Sequence, residues 1–244
     1  MNKKRFYSAG YYKELASEPR FGKIIEIAHK LEGKPDRLLD VGCGDGAFTV
    51  LLKEAAKAEE VFGIDIAEEA VTIARERGIR AIQVDIDESP FPFSDAHFDI
   101  VYCGEIIEHL FNPDHLLEEM HRVLKPKGIA LISTPNLGGW PNRLALLLGY
   151  QPYPTAVSPE HENVGKLAIK GAEGQWGHIR VFTAKAFKEL LTLHHFKIRR
   201  MIGCSILINS PLPPVLGTVI GCADKVMSKI PTLSTRLIAV IEKV

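Results

Sequence analysis

The sequence has little cysteine, only two tryptophans and no excess of charge of either sign. Its four cysteines, Cys43, Cys103, Cys204 and Cys222, lie far apart, without the paired spacing of a structural metal site. That argues against a disulfide scaffold and for a reduced, cytoplasmic compartment. Lys+Arg and Asp+Glu each number 30, so the formal net charge is zero. The broad basic footprint of a generic nucleic-acid binder is therefore missing. The opening stretch MNKKRFYSAGYY is basic, but no apolar run follows it, and no secretory signal is expected. There is also no internal repeat and no low-complexity tract.

One run lacks charge altogether. Met201–Ala223 is nominally long enough to cross a bilayer. It holds Pro211, Pro213 and Pro214, however, and prolines so close together break a spanning helix. The run reads instead as buried loop structure or, over residues 203–223, as a surface resting on a membrane or a partner. Residues 203–235 are also the candidate surface for a homodimer.

What is present is an ordinary globular composition, 46% apolar and 25% charged over 244 residues, enough for one α/β domain with a small cap. Apolar residues at Ile24, Ile25, Ala28 and Leu31 predict a helix over Phe21–Leu31, preceded by an arm carrying Tyr7, Tyr11 and Tyr12. Strand-like and helical segments then alternate. Strands are expected at Arg37–Val41, Val61–Ile64, Ile79–Val84, Phe98–Cys103 and Gly128–Ser133; helices are expected at Ala47–Ala56, Glu68–Arg77 and Pro113–Leu124. Leu137–Trp176, rich in Gly, Pro and Trp, is too long for a plain connection and reads as a lid or acceptor cap. A helix at Ala184–Leu193 and strands at Phe196–Ile202 and Leu237–Ile241 complete the pattern. The expected fold is an α/β, Rossmann-like doubly wound sheet of about seven mostly parallel strands, with helices on both faces and a small cap insertion. The chain divides into an arm and helix (1–36), a nucleotide-binding core (37–136), a cap (137–183) and a C-terminal part of the sheet (184–244).

The segment Leu38-Leu39-Asp40-Val41-Gly42-Cys43-Gly44-Asp45-Gly46 joins a strand to a helix through closely spaced glycines, which let the backbone turn sharply and a ligand approach it. About twenty residues on, Gly63-Ile64-Asp65 ends the next strand with an acid suited to ribose hydroxyls. The pattern D-x-G-x-G-x-G departs from the G-x-G-x-x-G that meets a pyrophosphate.

This block resembles the glycine-rich motif of class I S-adenosylmethionine-dependent methyltransferases, of the methyltransferase type 11 or ubiquinone-pathway O-methyltransferase kind. The likeness continues through Val84-Asp85-Ile86, Phe98-Asp99-Ile100-Val101-Tyr102-Cys103 and Leu124-Lys125-Pro126-Lys127-Gly128, and covers Leu38–Asn136. It implies S-adenosylmethionine as methyl donor, held by Asp40, Gly42, Gly44, Gly46, Asp65, Ile66, Asp85 and Ile86.

After the fourth strand comes Gly104-Glu105-Ile106-Ile107-Glu108-His109. In a helical turn, Glu105, Glu108 and His109 would share one face, and two carboxylates with an imidazole can bind a divalent cation. The E-x-x-E-H cluster is similar to one in ubiquinone-pathway O-methyltransferases, linked there to magnesium. It is similar also to one in small-RNA 3′-end 2′-O-methyltransferases, where a later His precedes a Thr-headed helix, as His178 precedes Thr183. The resemblance implies Glu105, Glu108, His109 and His178 as a candidate site for magnesium or another divalent cation, with His161 as a second candidate partner. His109, His178 and Glu105 are the catalytic candidates, the histidines as general bases. Trp140 and Trp176 are candidates for an acceptor pocket, and Cys43 for a small filler in the glycine turn.

The stretch Thr134-Pro135-Asn136, with Gly139-Trp140, Asn142-Arg143-Leu144 and Gly149-Tyr150-Gln151-Pro152, is similar to methyltransferases of cell-surface polysaccharide or glycolipid synthesis. It implies a small, glycan or lipid-linked hydroxyl acceptor and O-methylation. Two other readings compete. One is RNA 3′-terminal methylation, disfavoured by the neutral charge; the other is a non-catalytic S-adenosylmethionine-binding module.

Overall fold

The computed structural model describes residues 19–31, 33–158, 160–161, 163–167, 177–205 and 214–244. The arm with Tyr7, Tyr11 and Tyr12, and also Trp176, lie outside the described residues. In chain order the elements are α1 (Pro19–Ala28), β1 (Arg37–Val41), α2 (Ala47–Ala56), β2 (Glu60–Asp65), α3 (Glu68–Glu76), β3 (Arg80–Gln83) and β4 (Phe98–Gly104). A short 3₁₀ turn (Ile107–His109), α4 (Pro113–Val123), β5 (Leu124–Pro135) and α5 (Trp140–Leu147) follow. The rest is α6 (Ala184–Leu193), β6 (Phe196–Cys204), α7 (Pro214–Met227) and β7 (Arg236–Lys243).

The seven strands form one sheet in the order β3-β2-β1-β4-β5-β7-β6. β1 to β5 run parallel, while β7 lies antiparallel between β5 and β6. Alternation along the strands builds a core on each face. Leu39 and Val41 of β1 pack with Leu116, Leu117 and Met120 of α4 and Phe187 of α6. Leu38 joins Ile24 of α1, Leu52 of α2 and Val71 of α3 on the other face. The strand order reverses between β1 and β4, and sheets of this kind bind their ligands at such a point, beyond the carboxyl ends of the strands.

Several boundaries differ from expectation for identifiable reasons. β5 starts at Leu124 and is much longer than Gly128–Ser133, and α1 starts two residues early and stops at Ala28. No helix was expected in the cap, yet Trp140–Leu147 is helical, with a proline at its start that needs no amide partner there. The charge-free run splits likewise: Met201–Cys204 ends β6, residues 206–213 lie outside the described residues, and Pro214 opens α7. Among the described residues no helix is long and apolar enough to cross a membrane.

Candidate functional site

The site is built first by the turn between β1 and α2. Gly42 and Cys43 both donate their amides to the Ile64 carbonyl of β2, at 2.8 and 3.1 Å. Gly44 donates to Oδ2 of Asp65 at 2.8 Å, and Ala67 donates to Oδ1 of the same carboxylate at 2.9 Å. Asp65 therefore ties the turn to the end of β2 while keeping lone pairs for a ligand. Two glycines are required by geometry. Gly42 and Gly46 have φ of 78° and 76°. A Cβ on Gly42 would stand 2.3 Å from Ile106, and one on Gly46 would stand 2.2 Å from Ile79. Ile66 is exposed just past Asp65, whereas Ile86 is buried beside Asp85, whose Oδ1 accepts from the Asp87 amide at 3.1 Å. Cys43 is buried, and burial pushes its thiol well up, which suits a filler and not a nucleophile.

Asp40 points under this turn and is only 2% exposed. Its Oδ2 accepts from the Thr49 hydroxyl at 2.6 Å, while among the described residues Oδ1 has no partner. Burial, with a smaller push from the Asp65 charge, raises its carboxyl to about 7. An acid bound to its proton more tightly by the fold stabilises the fold below its ordinary value, and that stability is lost as pH rises through the folded value. The melting temperature of the ligand-free chain is therefore expected to fall between pH 5 and pH 8. Asp40→Asn should shrink that fall by about 5 °C; scanning fluorimetry at both pH values checks it, and parallel curves for the two chains would exclude Asp40 as the cause.

The acceptor side begins where β4 ends. Here the expected quartet divides. Glu108, His109 and His178 each offer a ligand atom within 4.8 Å of the others', and Glu105 is not part of that group. The expectation that Glu105, Glu108 and His109 share a helical face is corrected: Glu105 has φ 57° and precedes the 3₁₀ turn, so the three do not stand on one helical turn. It accepts from Ser133 Oγ at 2.9 Å and from Arg236 Nε at 2.8 Å, with Arg20 3.7 Å away. With its carboxylate so engaged, Glu105 braces α1, β4, β5 and β7 together.

Glu108 is fully buried. Its Oε2 accepts from the Thr134 hydroxyl at 2.9 Å, and Oε1 has no partner among the described residues. Burial and the neighbouring Glu105 charge push its carboxyl up to about 8. His109 Nδ1 lies 3.1 Å from the Gly177 carbonyl, and His178 Nδ1 lies 3.0 Å from the Pro154 carbonyl. A carbonyl only accepts, so each Nδ1 carries the hydrogen, and in the neutral rings each Nε2 keeps its lone pair. The two rings stand 4.8 Å apart, and burial lowers the proton affinity of His178. The Glu108 carbonyl accepts from the amides of Ile179 and Arg180 at 2.8 and 3.0 Å, which docks the segment carrying His178 onto the turn carrying Glu108. As expected, Thr183 caps α6, accepting from Ala186 N at 3.2 Å.

His161 is exposed and is not in the cluster. Trp140 donates Nε1 to Asp224 of α7 at 2.9 Å. No local pattern in the sequence marks Arg20, Arg236, Ser133 or Pro154 as partners of the site, and the Thr134-Pro135-Asn136 stretch pointed to the acceptor and not to Glu108.

Residues 39–132 match the protein family described as Methyltransferase domain. The chain is 35% identical over 123 residues to the ubiquinone biosynthesis O-methyltransferase of Bordetella bronchiseptica, covering 48% of this chain and 49% of that one. It is 36% identical over 113 residues to a probable S-adenosylmethionine-dependent methyltransferase of Mycolicibacterium smegmatis, covering 45% and 41%. The chain thus spans about half the length of the curated relatives it matches. In fold it is similar to an S-adenosylmethionine-dependent methyltransferase from Mesorhizobium loti, with a TM-score of 0.62 at 18% identity, over 94% of this chain and 100% of that one.

Proposed function

We propose, from the premise that this chain carries a class I S-adenosylmethionine-dependent methyltransferase domain, that it transfers a methyl group to the hydroxyl oxygen of a small, glycan or lipid-linked acceptor. The carrying observation is the convergence of Glu108, His109 and His178 beside the glycine turn. Ile106, immediately before that cluster, sits on Gly42, so the donor side and the acceptor side adjoin.

In this reading the turn at Gly42, Gly44 and Gly46 accommodates the donor, with Asp40 beneath it. Asp65 accepts from the ribose hydroxyls and Asp85 from the adenine amino group, while Ile66 and Ile86 flank the base. The donor supplies an electrophilic methyl on a sulfonium. As the acceptor oxygen forms its bond to that carbon, the carbon–sulfur bond breaks and its electron pair stays on sulfur. With no cation on these residues, the acceptor proton passes to the Nε2 lone pair of His109 or His178. Glu105 acts as a brace, through Arg236 and Ser133, and does not touch the reacting atoms.

A divalent cation fits the same three residues. The partnerless Oε1 of Glu108 and two imidazoles whose Nδ1 atoms are held by carbonyls form the kind of donor set that outer hydrogen bonds orient for a metal. Glu108, His109 and His178 would hold it, and it would supply Lewis acidity that lowers the acceptor's pKa.

Calorimetry with S-adenosylhomocysteine, then methyl transfer to phenols, lipid-linked hydroxyls, glycans and RNA ends, tests the reading. Methylation of a phenol or a lipid-linked or glycan hydroxyl is expected, reduced at least about tenfold by EDTA and restored by magnesium. Transfer confined to RNA ends would replace this acceptor class with nucleic acid. Binding without transfer to any acceptor would leave a binding module.

A further inference from the structure

Arg180 follows His178 by two residues and is exposed. Its amide donates to the Glu108 carbonyl at 3.0 Å, and its Nη2 donates to the Phe111 carbonyl at 3.1 Å. Phe111 is held in turn. Its amide and that of Asn112 donate to Oδ2 and Oδ1 of Asp87, both at 2.9 Å, and the Asp87 amide donates to Asp85 on the donor side at 3.1 Å. A long side chain is thus fixed at both ends against its rotamer entropy. No carboxylate of the chain accounts for this. Among the described residues Arg180 forms no ion pair, and Asp87, the acid joined to it through these bonds, is committed to two amides. Arg122 shows the contrast of an arginine that braces the fold: it bonds to Glu119, Asp95 and the carbonyls of Phe91 and Phe93. A guanidinium carries five N–H groups in a planar fork, and on Arg180 the Phe111 carbonyl takes one of them.

We propose that Arg180 binds an anionic group, a carboxylate or a phosphate, carried by the acceptor. Such a group meets the fork with two parallel charge-assisted hydrogen bonds, which a neutral group does not match. Phe111 and Ile179, 71% and 41% exposed, stand beside Arg180, so the body that joins the anion to the hydroxyl meets apolar side chains. His109 and Phe111 are two residues apart, which limits their Cα atoms to a separation of about 7 Å. The anion is therefore placed on the order of 10 Å from the oxygen that takes the methyl group. This rests on the reading of the chain as a hydroxyl methyltransferase and narrows its acceptor to an acid.

Calorimetry on the chain saturated with S-adenosylhomocysteine reads this recognition without turnover. Two matched pairs are the probes. Caffeic acid against its methyl ester tests a carboxylate; farnesyl diphosphate-linked N-acetylglucosamine against the farnesyl glycoside of the same sugar tests a phosphate. Wild type is expected to bind the anionic member of one pair about 30-fold more tightly than its neutral counterpart. Arg180→Gln should cut that preference to about threefold or less, and Arg180→Lys should fall between, because an ammonium keeps the charge but not the fork. S-adenosylhomocysteine affinity equal to wild type checks the fold of each variant. Failure to bind either anionic member, a preference below about threefold in both pairs, or a preference that survives Arg180→Gln would each overturn the proposal. So would an Arg180→Gln chain that loses both members of a pair equally, since that is a structural loss. Methyl transfer to the same compounds separates the two claims. An acid that is preferred in binding but never methylated sinks the hydroxyl reading alone; acid and ester methylated with equal efficiency sink this one alone.

Discussion

Asp65→Ala is expected to weaken S-adenosylhomocysteine binding by about 100-fold. The carboxylate does two jobs at once. It accepts from the Gly44 and Ala67 amides, which fixes the glycine turn, and its remaining lone pairs are those proposed to meet the ribose. Removing it deletes the ribose contacts and leaves the Gly44 amide without its acceptor, so the turn loosens as the ligand loses its anchor. The fold itself should survive, because β2 keeps its ladder to β1 and β3 through the backbone. Isothermal titration of both chains measures the difference. Affinities within threefold would mean that the donor does not sit on this carboxylate, and the donor-side assignment would fall with it.

Glu108→Gln is expected to lower kcat by 100-fold or more while leaving S-adenosylhomocysteine affinity unchanged. The amide keeps the shape, and its oxygen still accepts from Thr134, so the effect reports the lost acid and not a collapsed pocket. Glu105→Gln is the contrasting variant. It weakens the link to Arg236 and should lower the melting temperature more than Glu108→Gln does, with a smaller loss of kcat, because Glu105 acts at one remove from the reacting atoms. Turnover by Glu108→Gln equal to wild type, with and without chelator, would remove both Glu108 and any cation from the mechanism.

The donor half was legible because it is local. One strand, one turn and one acid about twenty residues on are all that the glycine pattern and Asp65 require, and each contact spans a short stretch of chain. The acceptor half was legible in its residue types only. Spacing alone put Glu105 on the same helical face as Glu108, but the chain leaves β4 with a left-handed residue at Glu105, whose carboxylate engages Ser133 and Arg236 while that of Glu108 engages Thr134. Arg236, which engages Glu105, lies 131 residues away, and nothing in its own neighbourhood announces that pairing. Helix α5 went unread for a different reason. Its apolar residues repeat toward solvent, in a segment whose Gly, Pro and Trp content signals a loop. The prolines after Met201 read as breaking a helix, yet the one at position 214 starts α7.

The sheet order has a consequence for synthesis. β7 follows the other six strands in the chain, yet it lies inside the sheet, between β5 and β6. While the ribosome is still making residues 205–235, β6 has no strand beside it and the far edge of β5 stands open. The glycine turn and Asp65 can already be in place, but Glu105 has no Arg236 to hold it. A nascent chain can therefore form its glycine turn before its acceptor side is braced, and the arrival of β7 completes that brace.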